Sequence, residues 1–375
     1  MTDQLVGFAS LPADTFAEGT PAGGNDGEGN PILNTLNGQD PLVIGHRGAS
    51  GLLPEHTLEA YKVAIAQGAD FIEPDLVSAK DGVLIVRHEP LLGDTTNVAE
   101  VFGQDRMSTK ILDGEEVTDY FAEDFTLAEI KQLRAVQSND LRSQEFNGAF
   151  EIPTFEEVIQ LVQETEAETG VEVGIYPETK HPTFFEQQGL SLELPLIKTL
   201  QSTGFTDPNR IFIQSFEFQN LIELQGMLDA EGLGDIPLVQ LYGDTTKDAS
   251  PDDVFSVPYD IRYNLEQGND LAAIYGQDFV DAVENGLSAN TTYRDLNSAE
   301  ILQIISNQYA EGAGPWKNNI LLRESLDKPV DGNGDGKAEI TTQLTGEITS
   351  FIDDAHAALL VYRFIPIPIV TKKVT

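Results

Sequence analysis

The sequence predicts an α/β protein with a (β/α)8 TIM-barrel fold, and three observations lead to this prediction. Short apolar runs alternate with amphipathic helical patterns, which implies a parallel sheet wound by right-handed crossovers. Seven or eight such units fit a closed barrel better than an open sheet. No glycine-rich dinucleotide or P-loop signature follows the first apolar run, although an open nucleotide-binding sheet would carry one there. The 375 residues are 40% apolar, which is enough for a core of this size.

Seven apolar runs are the candidate strands of this fold. The first precedes a helix that places Leu58, Tyr61 and Ile65 on one face. A turn at residues 80–82 separates the second run from the third. In chain order the runs are LVIGH (42–46), DFIEPDLV (70–77), GVLIVRH (82–88), VEVGIYPETK (171–180), NRIFIQSF (209–216), IPLVQLY (236–242) and ALLVYRF (358–364).

Helices are predicted between these apolar runs from capping residues and from the spacing of apolar residues. Two capping boxes predict helix starts, because a threonine is followed three residues later by a glutamate and then by an apolar stripe. These pairs are Thr126 with Glu129 and Thr154 with Glu157, and further helical patterns cover 218–229 and 299–310.

The chain divides into three parts by composition. Residues 1–40 are predicted to be a flexible segment or linker, since 17–40 are rich in Gly, Asn, Asp and Pro. The barrel is expected over 41–364, with residues 91–150 as an insertion after the third strand. Residues 365–375 form an atypical tail, because the isoleucines that alternate with Pro366 and Pro368 do not suit a central strand, and this end of the barrel is expected to be incomplete.

Composition also limits the partners of the protein. With 62 acidic and 22 basic residues the net charge is −40, which disfavours nucleic acid and anionic membrane surfaces but suits a divalent cation. Cysteine is absent, so disulfides, thiolate metal sites and a cysteine nucleophile are excluded. No apolar run reaches the length of a membrane span, and residues 1–20 lack the pattern of a signal peptide. The sequence does not indicate an oligomeric state.

Polar side chains stand at the ends of the first four predicted strands, and the C-terminal ends of its strands are where a (β/α)8 barrel carries its chemistry. Residues two apart share one face of a strand, so the charged pairs of the second and fourth strands can both point into the barrel mouth. In chain order these residues are His46 and Arg47, Glu73 and Asp75, His88 and Glu89, and Glu178 and Lys180.

The residue types gathered there suit a phosphate ester bound beside a metal ion. Carboxylates without thiolates favour a hard cation such as Ca²⁺ or Mg²⁺. Arginine and lysine favour an anion such as phosphate. Two imidazoles can supply a general acid and a general base near neutral pH, and the sequence leaves open which is which. We therefore predict a metal site of Glu73, Asp75 and Glu178, phosphate contacts from Arg47 and Lys180, and acid–base catalysis by His46 and His88.

Five segments stand in the order and spacing of one known family: GHRGASGLLPEHTLEAY, ADFIEPDLVSAKDGVLIVRHEPLL, FEIPTFEEVI, YPETK and IQSF. The chain resembles glycerophosphodiester phosphodiesterases, particularly the long periplasmic or secreted type. The resemblance implies a barrel that hydrolyses small-molecule substrates such as glycerophosphocholine and glycerophosphoethanolamine to sn-glycerol 3-phosphate and an alcohol. It further implies Ca²⁺ as the cation, with Mg²⁺ as the alternative, the residue roles given above, and a periplasmic or extracellular location.

Two other functions fit the same residues. One is phospholipase D-like action on lysophospholipids or sphingomyelin, and the other is an inactive calcium-binding barrel module. A second calcium site is a further candidate, because DGNGDGKAE (331–339) places Asp331, Asn333 and Asp335 at the first, third and fifth positions of a calcium loop. Its twelfth position is Thr342 instead of glutamate, so a plain turn is the alternative.

The remaining histidines are expected to have structural roles. His56, beside Glu55, belongs to a helix start and is expected to act as a cap or to support the site from behind. His181 and His356 lack partners at useful spacing and are expected on the surface or on helices.

Overall fold

The computed structural model describes residues 42–245, 253–332, 336, 338, 340–358 and 361–362. The predictions for residues 1–40 and 365–375 lie outside this part of the chain. In it the strands are β1 (Ile44–His46), β2 (Phe71–Glu73), β3 (Asp75–Ser78), β4 (Leu84–Val86), β5 (Ser108–Leu112), β6 (Glu115–Asp119), β7 (Gly174–Ile175), β8 (Glu178–Thr179), β9 (Ile213–Ser215), β10 (Leu238–Tyr242), β11 (Gly312–Pro315), β12 (Leu321–Val330), β13 (Ile340–Ile348) and β14 (Val361–Tyr362).

The helices lie between these strands. They are α1 (Leu58–Ala66), α2 (Val98–Phe102), α3 (Leu127–Ile130), α4 (Phe155–Thr169), α5 (Pro182–Gln187), α6 (Glu193–Thr203), α7 (Phe218–Ala230), α8 (Tyr259–Gln267), α9 (Leu271–Tyr275), α10 (Gln277–Ala282), α11 (Ala299–Gln308) and α12 (Phe351–Ala357). Both predicted capping boxes are present, at the starts of α3 and α4. None of the helices in the described part of the chain combines the length and apolar character needed to cross a bilayer.

Parallel strands follow one another around the sheet in the order in which they occur in the chain. β1 pairs with β2 and β2 with β7, while β3 pairs with β8, followed by β9, β10, β11 and β14. β2 and β3 form one strand interrupted at Pro74, which has no N–H to donate to a neighbour. This is the strand order of a (β/α)8 barrel. Among the described residues no strand pairs with the outer edge of β1 or β14. The incomplete end expected for the barrel therefore stays a prediction.

β4 differs from the parallel sheet predicted for the chain. It pairs antiparallel with β3, with Leu76 opposite Val86 and Ser78 opposite Leu84. The cause is the tight turn at residues 80–82, because a two-strand hairpin leaves no room for a crossover helix. The antiparallel direction brings the residues after β4 back toward Asp75, whose carbonyl accepts a hydrogen bond from the Arg87 N–H at 3.0 Å.

The insertion at residues 91–150 packs as part of the same body as the barrel. It contains α2, the β5–β6 hairpin and α3. Its Phe121, Phe125 and Ile130 are fully buried and belong to the same apolar cluster as Phe155 and Val158 of α4. Each such side chain contributes about 1.5–3 kcal/mol on burial, so the insertion is held firmly over one side of the barrel.

A long hairpin, β12–β13, follows β11. Its base is tied to the barrel, because Thr349 donates from its N–H to the Ile320 carbonyl at 3.0 Å and from Oγ1 to the Asn319 carbonyl at 2.7 Å. Most of its remaining residues are exposed. Asp331 lies just beyond β12 and accepts a hydrogen bond from the Gly336 N–H at 2.9 Å. Asn333 and Asp335 lie outside the described residues, so the second calcium site stays a prediction.

Candidate active site

The turn after β1 aims His46 and Arg47 at the barrel mouth. Arg47 has a left-handed backbone, with φ of 58°, and its N–H donates to the carbonyl and to Oε2 of Glu73, at 3.1 and 3.0 Å. Gly48 has φ of 79°, and a Cβ there would lie 2.7 Å from the backbone of Ala60. The small residues after Arg47 therefore allow the turn to pack directly on α1.

The predicted metal ligands Glu73, Asp75 and Glu178 come together as one group. Each offers a carboxylate oxygen within 4.8 Å of the others, and all three residues are buried. Asp75 Oδ1 is buried without a hydrogen-bond partner. An all-oxygen donor set with such an unsatisfied oxygen fits a hard divalent cation. Asp331 is not part of this group.

The electrostatics of these carboxylates point the same way. Burial, followed by the charges of Asp75 and Glu178, raises the pKa of Glu73 well above its ordinary value. Burial, with repulsion from Asp75, raises the pKa of Glu178 to about 7 although Lys180 opposes the shift. Burial would also raise the pKa of Asp75, but His56 holds it well below its ordinary value. The three carboxylates therefore resist being ionised together, and a divalent cation between them would favour their anionic forms.

Two groups behind the cluster orient its oxygens. His56 is fully buried, and its Nε2 lies 2.8 Å from Asp75 Oδ2 while its Nδ1 lies 2.8 Å from the Tyr61 hydroxyl. This confirms the supporting role expected for His56, although Thr57 is the residue that caps α1. Gln214 of β9 donates to Glu73 Oε1 at 3.0 Å. The prediction of site residues missed Gln214, although it stands in the IQSF segment.

Arg47 and Lys180 flank the carboxylates. Arg47 Nη1 lies 3.3 Å from Glu55 and its Nε 3.5 Å from Asp75 Oδ2. Lys180 Nζ donates to Glu178 Oε1 at 2.9 Å. Burial would lower the pKa of each cation, but nearby carboxylates more than compensate and raise it, so both stay charged. The structure thus places two cations beside the candidate metal ligands.

The two predicted catalytic histidines border the same group of charges. His46 Nε2 lies 4.0 Å from Glu73 Oε2, and burial, followed by the charge of Arg47, lowers the pKa of His46 to about 3. His88 Nε2 lies 3.4 Å from Lys180 Nζ, and its Nδ1 lies 2.9 Å from Glu89 Oε1. Burial, followed by the charge of Lys180, lowers the pKa of His88. Both imidazoles are therefore neutral at pH 7, and each can accept a proton.

The surface or helix role expected for His181 is wrong in one respect. The residue does precede α5, at its N-cap position, but the side chain makes no capping bond. Instead its Nε2 lies 2.8 Å from Glu89 Oε2 and its Nδ1 2.7 Å from Asp113 Oδ2. Sequence spacing could not indicate this, because the partners lie 92 and 68 residues away. His356 lies on α12, as expected.

Comparison with known proteins identifies the family of this chain. A model of the glycerophosphoryl diester phosphodiesterase family matches residues 46–319. The chain is 35% identical over 296 residues to the glycerophosphodiester phosphodiesterase GDPD6 of Arabidopsis thaliana, a match covering 75% of this chain and 66% of that protein. It is also 35% identical over 244 residues to the glycerophosphodiester phosphodiesterase of Haemophilus influenzae, covering 62% of this chain and 65% of that one. These matches span slightly less than two thirds of each relative.

A solved structure shows the same fold. It is the crystal structure of a protein assigned as a glycerophosphoryl diester phosphodiesterase from Silicibacter pomeroyi, and it aligns with a TM-score of 0.51 at 17% identity, over 87% of this chain and 82% of that one. The family model spans every predicted residue of the metal, phosphate and acid–base groups. The chain belongs to the glycerophosphoryl diester phosphodiesterase family.

Proposed function

We propose that this protein hydrolyses glycerophosphodiesters, such as glycerophosphocholine and glycerophosphoethanolamine, to sn-glycerol 3-phosphate and an alcohol. The observation that carries the proposal is the meeting of three buried carboxylates, two cations and two neutral imidazoles at the ends of β1, β2, β4 and β8. Relatives of 35% identity are named glycerophosphodiester phosphodiesterases, which supports the same activity here.

In this proposal each group of residues has a distinct task. Arg47 and Lys180 bind the non-bridging phosphate oxygens and stabilise the charge that grows on them. One of His46 and His88 takes the proton of the attacking water or glycerol hydroxyl as a neutral imidazole. The other must be protonated when the anionic diester is bound, and it gives that proton to the leaving alcohol oxygen. With water as the nucleophile, one P–O bond forms, one breaks, and the elements of water are divided between the products.

Glu73, Asp75 and Glu178 would hold the cation, which we propose to be Ca²⁺, with Mg²⁺ as the alternative. A divalent cation at this position supplies Lewis-acid stabilisation of the phosphoryl oxygens.

We further propose that the protein acts in the periplasm or outside the cell, where calcium modules work at about 10⁻⁴–10⁻³ M free Ca²⁺. Immunodetection of the native protein in separated cell fractions tests the location, and confinement to the cytoplasmic fraction would refute it.

Release of glycerol 3-phosphate from glycerophosphocholine tests the activity. We expect release that stops in EDTA and returns with Ca²⁺, and full activity after EDTA dialysis would contradict the metal dependence.

The variants His46→Ala and His88→Ala should each lose about 10²–10⁴-fold in turnover. His356→Ala is the matched control and should lose little.

The two alternative functions predict different products. Choline release from lysophospholipid or sphingomyelin without diester hydrolysis would favour the phospholipase D-like alternative. Ca²⁺ binding without any hydrolysis would favour the inactive module.

A further inference from the structure

Four side chains form a continuous line of polar contacts that runs away from the metal ligands. Glu89 uses one carboxylate oxygen, Oε1, to contact Nδ1 of His88 at 2.9 Å. It uses the other, Oε2, to contact Nε2 of His181 at 2.8 Å. The second imidazole nitrogen of His181 contacts Asp113 Oδ2 at 2.7 Å. The line therefore joins a predicted catalytic histidine to a residue of the insertion.

The two members of the line farthest from His88, His181 and Asp113, stand on strained backbone at the ends of rigid elements. Asp113 lies in the turn between β5 and β6 with φ of 49°, and His181 lies between β8 and Pro182 with φ of 48°. A non-glycine residue in this region costs about 1–3 kcal/mol and persists only where its surroundings fix it. The turn also packs against the barrel, since a Cβ on Gly114 would lie 3.5 Å from Tyr259 Cε2 of α8.

The two central members of the line carry opposite charges, because Glu89 is anionic and His181 is cationic. Burial would lower the pKa of His181, but Asp113 and Glu89 outweigh it and raise that pKa well above 6.5. Burial would raise the pKa of Glu89, but His181 outweighs it and holds that pKa well below 4.5. An anionic Glu89 accepts the Nδ1–H of a neutral His88. His88 Nε2 is then the unprotonated nitrogen, and it faces Lys180 and the site.

We propose that His181 and Asp113 are positioning residues through which the insertion fixes the orientation and tautomer of His88. Glu89 is the link, because its two oxygens are shared between the two imidazoles. The insertion thereby contributes to the active site without touching the substrate. This inference rests on the proposed function for its effect on turnover, whereas the state of His88 can be measured without any substrate.

Two variants that keep the backbone separate positioning from folding. Asparagine tolerates positive φ, so His181→Asn and Asp113→Asn remove the charges and leave the turns intact. His356→Asn on α12 is the matched control. With only five histidines in the chain, the imidazole ¹⁵N shifts of His88 are assignable by comparison with His88→Gln.

In the wild-type protein with Ca²⁺, we expect ¹⁵N shifts that identify Nδ1 of His88 as protonated and Nε2 as unprotonated. Both asparagine variants should move His88 toward a mixture of tautomers and should lower kcat by about 10–100-fold with KM within about twofold, the usual cost of losing a partner behind an active residue. The double variant should lose no more than His181→Asn alone, because the two residues act through one contact. His356→Asn should change neither quantity.

An unchanged His88 tautomer and unchanged kcat in both variants would overturn the inference. A rise in KM alone would also overturn it, because that pattern indicates substrate binding. If His181→Asn fails to fold, judged by circular dichroism, Asp113→Asn alone decides. If the wild-type protein hydrolyses no diester, the proposed function fails, while the ¹⁵N shifts of His88 still decide whether Asp113 and His181 position it.

Discussion

At the residue scale, Arg47 of the candidate active site and three residues near it have backbone conformations that few non-glycine residues adopt. Among the described residues, positive φ occurs at five non-glycine positions, and four of them are Arg47, His56, Asp113 and His181. Arg47 and His56 contact Asp75. His181 contacts Glu89, and Asp113 contacts His181. Strained backbone is retained where the surroundings fix it and often marks function. Sequence indicated Arg47 and a supporting role for His56, but it did not connect Asp113 and His181 with the site. A torsion angle cannot be read from a single sequence.

The carboxylate cluster gives the first prediction. Glu73→Gln, Asp75→Asn and Glu178→Gln should each weaken Ca²⁺ binding and lower diester hydrolysis by more than about 100-fold, since losing even a partner behind a ligand costs about 10–100-fold. Titration calorimetry and a glycerol 3-phosphate assay measure the two effects.

Glu123→Gln is the control for this prediction, because Glu123 is a buried carboxylate that pairs with Lys110 of the insertion at 2.7 Å. An Asp331→Ala background removes any second calcium site. Unchanged Ca²⁺ affinity in all three variants would show that the cation binds elsewhere.

The raised pKa of His181 gives a prediction for stability against pH. A folded-state pKa above the unfolded value of 6.5 means that the ion pairs with Glu89 and Asp113 stabilise the fold fully below pH 6.5. This contribution declines as pH rises from 6.5 through the folded-state pKa. The difference in Tm between wild type and His181→Asn should therefore be largest near pH 6 and smaller at pH 9. A difference that grows with pH would contradict the assignment of His181 as the cation.

At the element scale, the sequence predicted the positions of several parallel strands and the starts of two helices. The apolar runs 42–46, 209–216 and 236–242 contain β1, β9 and β10, and both capping boxes start helices. The antiparallel direction of β4 was missed, because alternation of helices and strands does not reveal which strand turns back. The β12–β13 hairpin was also missed, although its Gly/Asp-rich turn between alternating segments is a hairpin signal.

The packing of α1 on β1 gives a prediction with a matched control. Gly48→Ala forces an alanine to φ of 79° and places its Cβ 2.7 Å from the Ala60 backbone. Gly68→Ala adopts φ of 90° with nothing within 4 Å, so it bears the conformational cost alone. We expect Gly68→Ala to lower the free energy of unfolding by about 1–2 kcal/mol. Gly48→Ala should cost a further 1–3 kcal/mol or so from overpacking, and should also lower activity by displacing Arg47. Urea unfolding measures both, and equal losses would show that the contact with α1 relaxes.

At the scale of the whole molecule the charge of −40 opposes the site's own preference for an anion. A phosphodiester must approach a strongly negative protein before it meets Arg47 and Lys180. Sequence composition gives the total charge, and the strand-end pattern predicted Arg47 and Lys180 at the barrel mouth. Only the fold shows their contacts with Asp75 and Glu178. The same limit applies to the long-range site contacts, such as Gln214 with Glu73 across 141 residues.

This opposition gives a prediction for ionic strength. The distance over which charges act falls to about 10 Å at 0.1 M salt. At saturating Ca²⁺, raising KCl from about 20 to about 200 mM should increase kcat/KM for the anionic diester glycerophosphoglycerol by roughly 2–10-fold relative to zwitterionic glycerophosphocholine. Initial rates at low substrate concentration measure this ratio. Equal responses of the two substrates would show that local cations, and not the overall field, control capture.

The β12–β13 hairpin has a practical consequence for protein engineering. Its base is fastened at Asn319, Ile320 and Thr349, while its strands and the described residues at its far end are largely exposed. None of the predicted residues of the barrel mouth lies on it, and the candidate second calcium site, with Asp331, is the one predicted site at its far end. Exposed tips of this kind accept inserted sequence with little loss of fold. A fluorescent domain or an affinity tag placed at the tip should therefore report on the protein, or immobilise it, with the barrel mouth left open to substrate.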